Sequence, residues 1–513
     1  MKREYGLFLF VLVAVLPVIL LRDFTPSNEL RYLSIADEAL ANGTFFTFTN
    51  QGMPYADKPP LYLWIVMLGK WLFGRHVMWF LSLFSLIPAF VIADVMNRWT
   101  RREIRAEEWR TASQMLLLTS GLFLGMAVVL RMDMLMCMFI VLAVHTFYKM
   151  EKYEGDRQRN AWLFPIYLFL ALFTKGPVGI LVPLAGTLTY LLVTRRIRTF
   201  FAYWGWKTWG VLLAGCALWF GAVYLEGGYE YLDNLLFHQT IDRAVNSFHH
   251  EEPFYYYFIA IWYSLAPWSF LLVGVGVAVV SKWRQFIRTD LQKLFFSVFL
   301  ATFVVLSCIS SKLQVYLIPA YPFLIYLVAT CLPRIRWNRW LAASIAAPAA
   351  VLGLAVFALP FLPLPDDLRL SGRILAYAAG GILTLAVIRA LYLLYRRKQV
   401  LRAIQTIAFG LFCAVFTGGW ALPQVNGEIG YRKLCKEAKK IAQEHGLDTY
   451  YTWRVSRPES MDVYLHQDIR KLSDEDVKAG ALQPGVLMVP QSRLDHFPGK
   501  EAHLIGPYAI VIP

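Results

Sequence analysis

Apolar residues gather into long runs separated by short polar stretches, and the runs have the length that crosses a bilayer, roughly 17 to 25 residues. Thirteen spans are predicted, at about 6–22, 78–97, 113–130, 133–149, 161–174, 176–194, 208–225, 256–281, 291–310, 314–332, 339–363, 373–395 and 404–424. The first follows Lys2 and Arg3 and has no small-residue cleavage site after it, so it reads as a signal anchor. Two intervening segments, 23–77 and 226–255, are too long to be mere connectors. Within the first, Asn28–Asn42 has amphipathic spacing, and Pro60–Phe73 is a short aromatic stretch suited to a membrane interface. From about 425 the chain turns polar. Residues 429–445 predict a basic helix, and Tyr450–Val455, Val486–Pro490 and Tyr508–Pro513 predict short strands. The pattern predicts an α-helical polytopic membrane domain over 1–424 and a small C-terminal α/β extracytoplasmic domain over 425–513.

Composition agrees with this division. Of 513 residues, 58% are hydrophobic and 17% charged, where a soluble domain would carry about 25% charged residues. The formal net charge is +15. In a soluble chain that excess would raise nucleic acid as a partner; here it has a topological reading and no nucleic acid is expected. With the N-terminus in the cytoplasm, cytoplasmic segments collect 26 Lys and Arg, against 11 on the other side before the tail. That asymmetry sets the orientation, and an odd span count places the tail outside. Five cysteines lie in or beside apolar runs and Cys435 stands alone in the tail, so no disulfide framework or CxxC metal site is offered.

The outer face carries the candidate chemistry. Charged residues near a membrane are costly and mark function by default, and here they come in short clusters. These are Asn28-Glu29-Leu30-Arg31-Tyr32, Asp57-Lys58-Pro59-Pro60, Arg131-Met132-Asp133, Thr174-Lys175-Gly176-Pro177 and Ser310-Ser311-Lys312, with Tyr316, Pro319, Tyr321 and Pro322 following. His238, Arg243, His249, His250, Glu251 and Glu252 crowd the second long loop. A single Lys or Arg at a helix end can simply snorkel to the headgroups, and Arg22, Lys70 and Arg75 are assigned that role. Convergence of several clusters on one face argues for more: a cavity with fixed cations and a few carboxylates, suited to a phosphate-bearing amphiphile.

With these residues assembled, the chain resembles the GT-C fold glycosyltransferases. More narrowly, it resembles the protein O-mannosyltransferase and aminoarabinose (lipid A) transferase family, which takes sugar from a polyprenyl phosphate. The stretch at 28–32 corresponds to the family's DExRY, and Asp57-Lys58-Pro59-Pro60-Leu61-Tyr62-Leu63-Trp64 to its KPP motif. The resemblance implies that Lys58 binds the donor phosphate, with Arg31, Arg131, Lys175, Arg243, Lys312 and Tyr316 beside it. It implies Asp133 as the second functional carboxylate. It also implies that Asp57, with His238, His249 or His250, holds a divalent metal resembling zinc.

One departure bears on mechanism. The family's leading Asp is Asn28 here, and an amide cannot take a proton. Either Glu29 or Asp133 replaces it as base, or none is needed. A Ser or Thr acceptor profits from a base, whereas a phosphate monoester, with its second pKa near 6, is already a nucleophile at neutral pH. The expected function is therefore inverting transfer of a sugar, aminoarabinose-like or a hexose, from a polyprenyl-phosphate donor on the periplasmic face of the inner membrane. Lipid A phosphate is the favoured acceptor and a glycoprotein Ser or Thr the alternative. A lipid flippase or transporter, an O-antigen ligase or polymerase and a non-catalytic scaffold are the remaining readings. A transporter would place more charge at mid-membrane than Asp94 and His145.

Overall fold

The computed structural model describes residues 2–236, 252–361, 368–478 and 484–512. The predicted stretches are helical over their described residues, but not all are single continuous spans. Among the described residues, eight helices are long and apolar enough to cross a membrane, and ten if two bent pairs each count as one. The difference from thirteen has local causes. The stretch 113–130 breaks into Glu107–Leu118 and Gly121–Val128, bent by 70°. At that break the Gly121 amide donates to the Ala266 carbonyl of a neighbouring segment rather than continuing its own helix. The stretch 256–281 divides into Tyr256–Ser264 and Ser269–Ser281 around Pro267, and 176–194 shortens to Val178–Val193. A proline removes one amide donor and crowds the preceding turn, which is enough to divide a span.

The remaining boundaries follow from capping and breaks. Asp156 accepts from the Gln158 and Arg159 amides and starts the helix Arg157–Lys175. That helix stops at Gly176, whose φ of 98° is open to glycine but strained for other residues. Pro177 then leads into Val178–Val193. Thr289 and Gln292 form a capping box for Asp290–Cys308. Beyond the first span the chain turns by 73° into Pro26–Asn42, a π-helical turn followed by the helix Arg31–Asn42. The interfacial stretch is the helix Leu61–Phe73.

The C-terminal residues form a five-stranded mixed sheet. Its strands are β3 (Tyr450–Thr452), β4 (Arg470–Lys471), β5 (Val486–Pro490), β6 (Glu501–Ile505) and β7 (Tyr508–Ile512), in the order β4-β3-β5-β7-β6, while β1 (Thr49–Asn50) and β2 (Met53–Pro54) form a hairpin in the first outer loop. The β3 strand runs parallel to β4 and β5, and β7 runs antiparallel to β5 and β6. The basic helix is Arg432–His445, which buries Leu434, Cys435, Ala438, Ile441 and Ala442. These side chains share one core with Phe24, Leu30, Tyr32, Leu33 and Ile35 of the first outer loop and with Val486, Met488 and Ile510 of the sheet. The C-terminal sheet is thus packed directly on the segment that carries the 28–32 motif.

Candidate active site

Four of the sequence clusters meet at one end of the helix bundle. Asp133 opens the helix Asp133–Glu151 and is 1% exposed. Its carboxylate pairs with Arg131 through Nε at 3.0 Å and with the Lys175 ammonium, which arrives from the last turn of Arg157–Lys175. Lys175 also sits over the Tyr316 ring, 4.4 Å from its centre. Arg131, Asp133, Lys175 and Tyr316, drawn from three separated parts of the sequence, therefore form one contiguous array. Two part-buried cations share a single buried carboxylate, leaving the array net positive.

The first outer loop forms the adjoining wall. Arg31 lies 5.7 Å from the Tyr32 ring and 5.6 Å from the Tyr55 ring. The Tyr32 and Tyr62 rings meet edge to face at 5.6 Å, and the Tyr62 hydroxyl is buried without a hydrogen-bond partner among the described residues. Asp57 and Lys58 are half-buried in the turn before Leu61–Phe73, and Asp57 is near enough to Arg31 for its charge to act on the guanidinium. This turn is held from the second outer segment: the Tyr231 hydroxyl donates to the Tyr55 carbonyl at 2.8 Å and accepts from the Phe48 amide. Glu226 accepts from the amides of Phe45, Phe46 and Thr47. Lys312 is 3% exposed and donates to the Glu252 carbonyl at 2.7 Å.

Glu29 has a different setting from the one expected of a base. It is fully buried, and its carboxylate accepts from Arg22 Nη1 and Nη2 at 2.7 and 2.6 Å. It also accepts from the Thr25 amide and hydroxyl and from the Leu130 amide at 2.8 Å. Both oxygens are occupied by donors. The arrangement ties the exit of the first span to the turn that carries Arg131 and Asp133. It also corrects the assignment of Arg22 to the headgroups: the guanidinium is turned inward onto Glu29. Lys70 likewise reaches Asp37 at 2.9 Å, beside His76 at 2.6 Å from the same carboxylate, whereas Arg75 is exposed. Asn28 is half-buried and its carbonyl accepts from the Arg31 amide.

His238, Arg243, His249 and His250 lie outside the described residues. Among the described residues no group of three or more His, Cys, Asp or Glu could hold a metal ion. Asp57 is the one proposed ligand within them, and a lone carboxylate does not make a zinc site. The sequence assigns no role in the site to Arg22, Tyr32 or Tyr62. Tyr32 follows the charged Arg31 in the 28–32 motif and Tyr62 lies in the 57–64 motif, which is the signal they carry; Arg22 carries none beyond its place at a span end.

The model of the dolichyl-phosphate-mannose-protein mannosyltransferase family matches residues 3–227. An undecaprenyl phosphate-alpha-4-amino-4-deoxy-L-arabinose arabinosyl transferase of Pseudomonas fluorescens is 23% identical over 479 residues, covering 88% of this chain and 81% of its own. An uncharacterised protein of Aquifex aeolicus is 26% identical, covering 82% and 79%. The crystal structure of ArnT from Cupriavidus metallidurans bound to undecaprenyl phosphate superposes with a TM-score of 0.76 at 19% identity, over 99% of this chain and 97% of that one. The chain has the GT-C fold, and in sequence it is similar to the aminoarabinose transferases. It is a multi-pass membrane enzyme. Within this fold the 28–32 motif is fastened both to the ion cluster and to the C-terminal sheet.

Away from the bundle, burial pushes the Asp462 carboxyl up to about 6, although Ser34 Oγ donates to it at 2.5 Å. Asp37 and Glu38 add to that rise. Asp462 faces the helix Arg31–Asn42 from the sheet side, so this contact is a second joint between the motif helix and the C-terminal domain.

Proposed function

We propose that this enzyme transfers an aminoarabinose-like sugar from a polyprenyl-phosphate donor to a phosphate of lipid A, with inversion, on the periplasmic face of the inner membrane. The observation that carries this reading is the array of Arg131, Lys175 and Tyr316 around the buried Asp133. An array with two cations to one carboxylate is complementary to a phosphate, and preorganised positive charge stabilises the charge that grows on the leaving phosphate as the glycosidic bond breaks. Lys58, Arg31, Lys312 and Arg243 are assigned to the same donor phosphate, and the polyprenyl tail leaves laterally between helices. The names of the Pseudomonas relative and the undecaprenyl phosphate in the Cupriavidus structure support this donor class.

The acceptor argument rests on proton chemistry. Asn28 cannot accept a proton, Glu29 has both oxygens engaged by donors, and Asp133 is held between two cations. A phosphate acceptor needs no base. In this reading Asp133 holds Arg131 and Lys175 in place, and Glu29 holds the turn. The domain assignment, 1–424 for catalysis and 425–513 for a periplasmic α/β domain, belongs to the same proposal. The second reading, transfer to Ser or Thr, is favoured by the matching family model over residues 3–227. Mass spectrometry of lipid A and of envelope glycoproteins from matched wild-type and deletion cells decides between them. Loss of a sugar-sized mass from lipid A is expected. Loss from peptides alone would replace the first reading with the second, and no change in either would remove both.

A further inference from the structure

The C-terminal domain meets the end of the first span around Asp23, which is 1% exposed. Its carboxylate accepts from the Arg432 amide at 3.0 Å, from the Tyr464 hydroxyl at 2.8 Å and from the Phe24 amide, and the Arg432 guanidinium stands 3.3 Å away. Its own amide donates to Asn426 Oδ1 at 2.9 Å, and Asn426 Nδ2 donates to the Leu21 carbonyl at 2.8 Å. Gly430 closes the joint: a Cβ there would lie 2.5 Å from Asp23 Oδ2 and 2.6 Å from the Phe24 carbonyl oxygen. Its φ of −142° suits any residue, so close approach alone demands glycine.

From this joint a continuous polar path runs to the ion array. Arg22 is the preceding residue in the chain and donates both to the Asp23 carbonyl and to Glu29. Glu29 accepts from the Leu130 amide, and Leu130 leads directly into Arg131 and Asp133. The links are hydrogen bonds between buried or part-buried groups joined by single steps of chain, so displacing one end has little slack to absorb it.

We propose that the C-terminal domain sets the position of the Arg131–Asp133 turn through the Asp23 joint, and that Asn426, Gly430, Arg432 and Tyr464 are positioning residues for the transfer reaction. The domain is in this respect part of the catalytic apparatus rather than a cover laid over it. The inference rests on the reading that Arg131 and Lys175 hold the donor phosphate. It adds that their placement is set by residues some 300 positions further along the chain. A misplacement of about 1 Å at a reaction centre can cost on the order of 100-fold in rate.

Two measurements on the full-length protein test it. In Gly430→Ala, amide hydrogen exchange over residues 129–133 is expected to rise relative to wild type, while exchange within the distant helix Asp290–Cys308 stays unchanged. In the same variant kcat is expected to fall about tenfold or more while KM for the polyprenyl-phosphate sugar moves less than about threefold, the pattern of lost positioning rather than lost binding. Arg454→Ala, on an exposed ion pair of the sheet domain, is expected to match wild type in both. Unchanged exchange at 129–133 would overturn the proposal, and so would an equal rise throughout the protein. Should Gly430→Ala yield no folded protein, Tyr464→Phe keeps the packing, removes one bond to Asp23 and is read the same way. If the wild-type protein transfers no sugar, the functional reading fails while the exchange result still decides the coupling.

Discussion

The Lys175 ammonium lies 4.4 Å from the centre of the Tyr316 ring and at the same time pairs with Asp133. A desolvated cation over an aromatic face is worth about 2 kcal/mol, so the ring helps hold Lys175 when a phosphate competes with Asp133 for it. Tyr316→Leu is expected to raise KM for the donor about 30-fold at 1.36 kcal/mol per tenfold. Tyr316→Phe keeps the ring and is expected to stay within about threefold of wild type. Steady-state kinetics on the pair reads the difference; equal effects would discard the ring's role.

Glu29→Gln replaces an acceptor of five donors with an amide that must present an NH2 to some of them. Breaking a buried ion pair by removing one partner costs about 3 to 5 kcal/mol. The variant is expected to lose thermal stability along with activity, measured by unfolding in detergent. A catalytic base would behave otherwise, losing rate at unchanged stability.

Asn28→Asp restores the family's acidic residue. A general base contributes about 100-fold or more to such a step. Toward a phosphate acceptor the substitution is expected to bring no gain of that size in kcat. A 100-fold gain toward a Ser or Thr peptide would favour the protein-acceptor reading and remove the argument from Asn28.

Asp462 has a folded pKa of about 6 against an ordinary 3.8. The folded protein binds more protons between those values, so stability declines as pH rises through that window and the cost is complete above about 6. Two pKa units correspond to at most about 3 kcal/mol. Asp462→Asn is therefore expected to be the more stable protein at pH 7.5, with its advantage shrinking toward pH 4. Melting temperatures of the two proteins across that range check the sign.

The membrane architecture was legible in the sequence because bilayer thickness imposes a length on apolar runs, and the 28–32, 57–64 and 131–133 motifs were legible because charge at a membrane edge stands out. The helix breaks were harder to read: the kink at Ser120 depends on a carbonyl from Ala266, a partner no local pattern names. Arg22 illustrates the other limit. By position it is a headgroup anchor, and what turns it inward is Glu29, whose oxygens also need the Leu130 amide from a distant turn. Tyr464 and Arg432 were similarly invisible as neighbours of Asp23, since only the shared core places the sheet against the first loop.

The bond between Asp23 and Asn426 spans 403 residues of chain. At about 5 to 20 residues per second, a ribosome needs roughly 20 to 80 s to make that interval. Throughout that time the exit of the first span, already threaded through the membrane, stands without the groups that will lock it. The newborn enzyme therefore gains its working geometry at the end of synthesis, and a chain cut short before Asn426 inserts its helices yet lacks the joint that orders them.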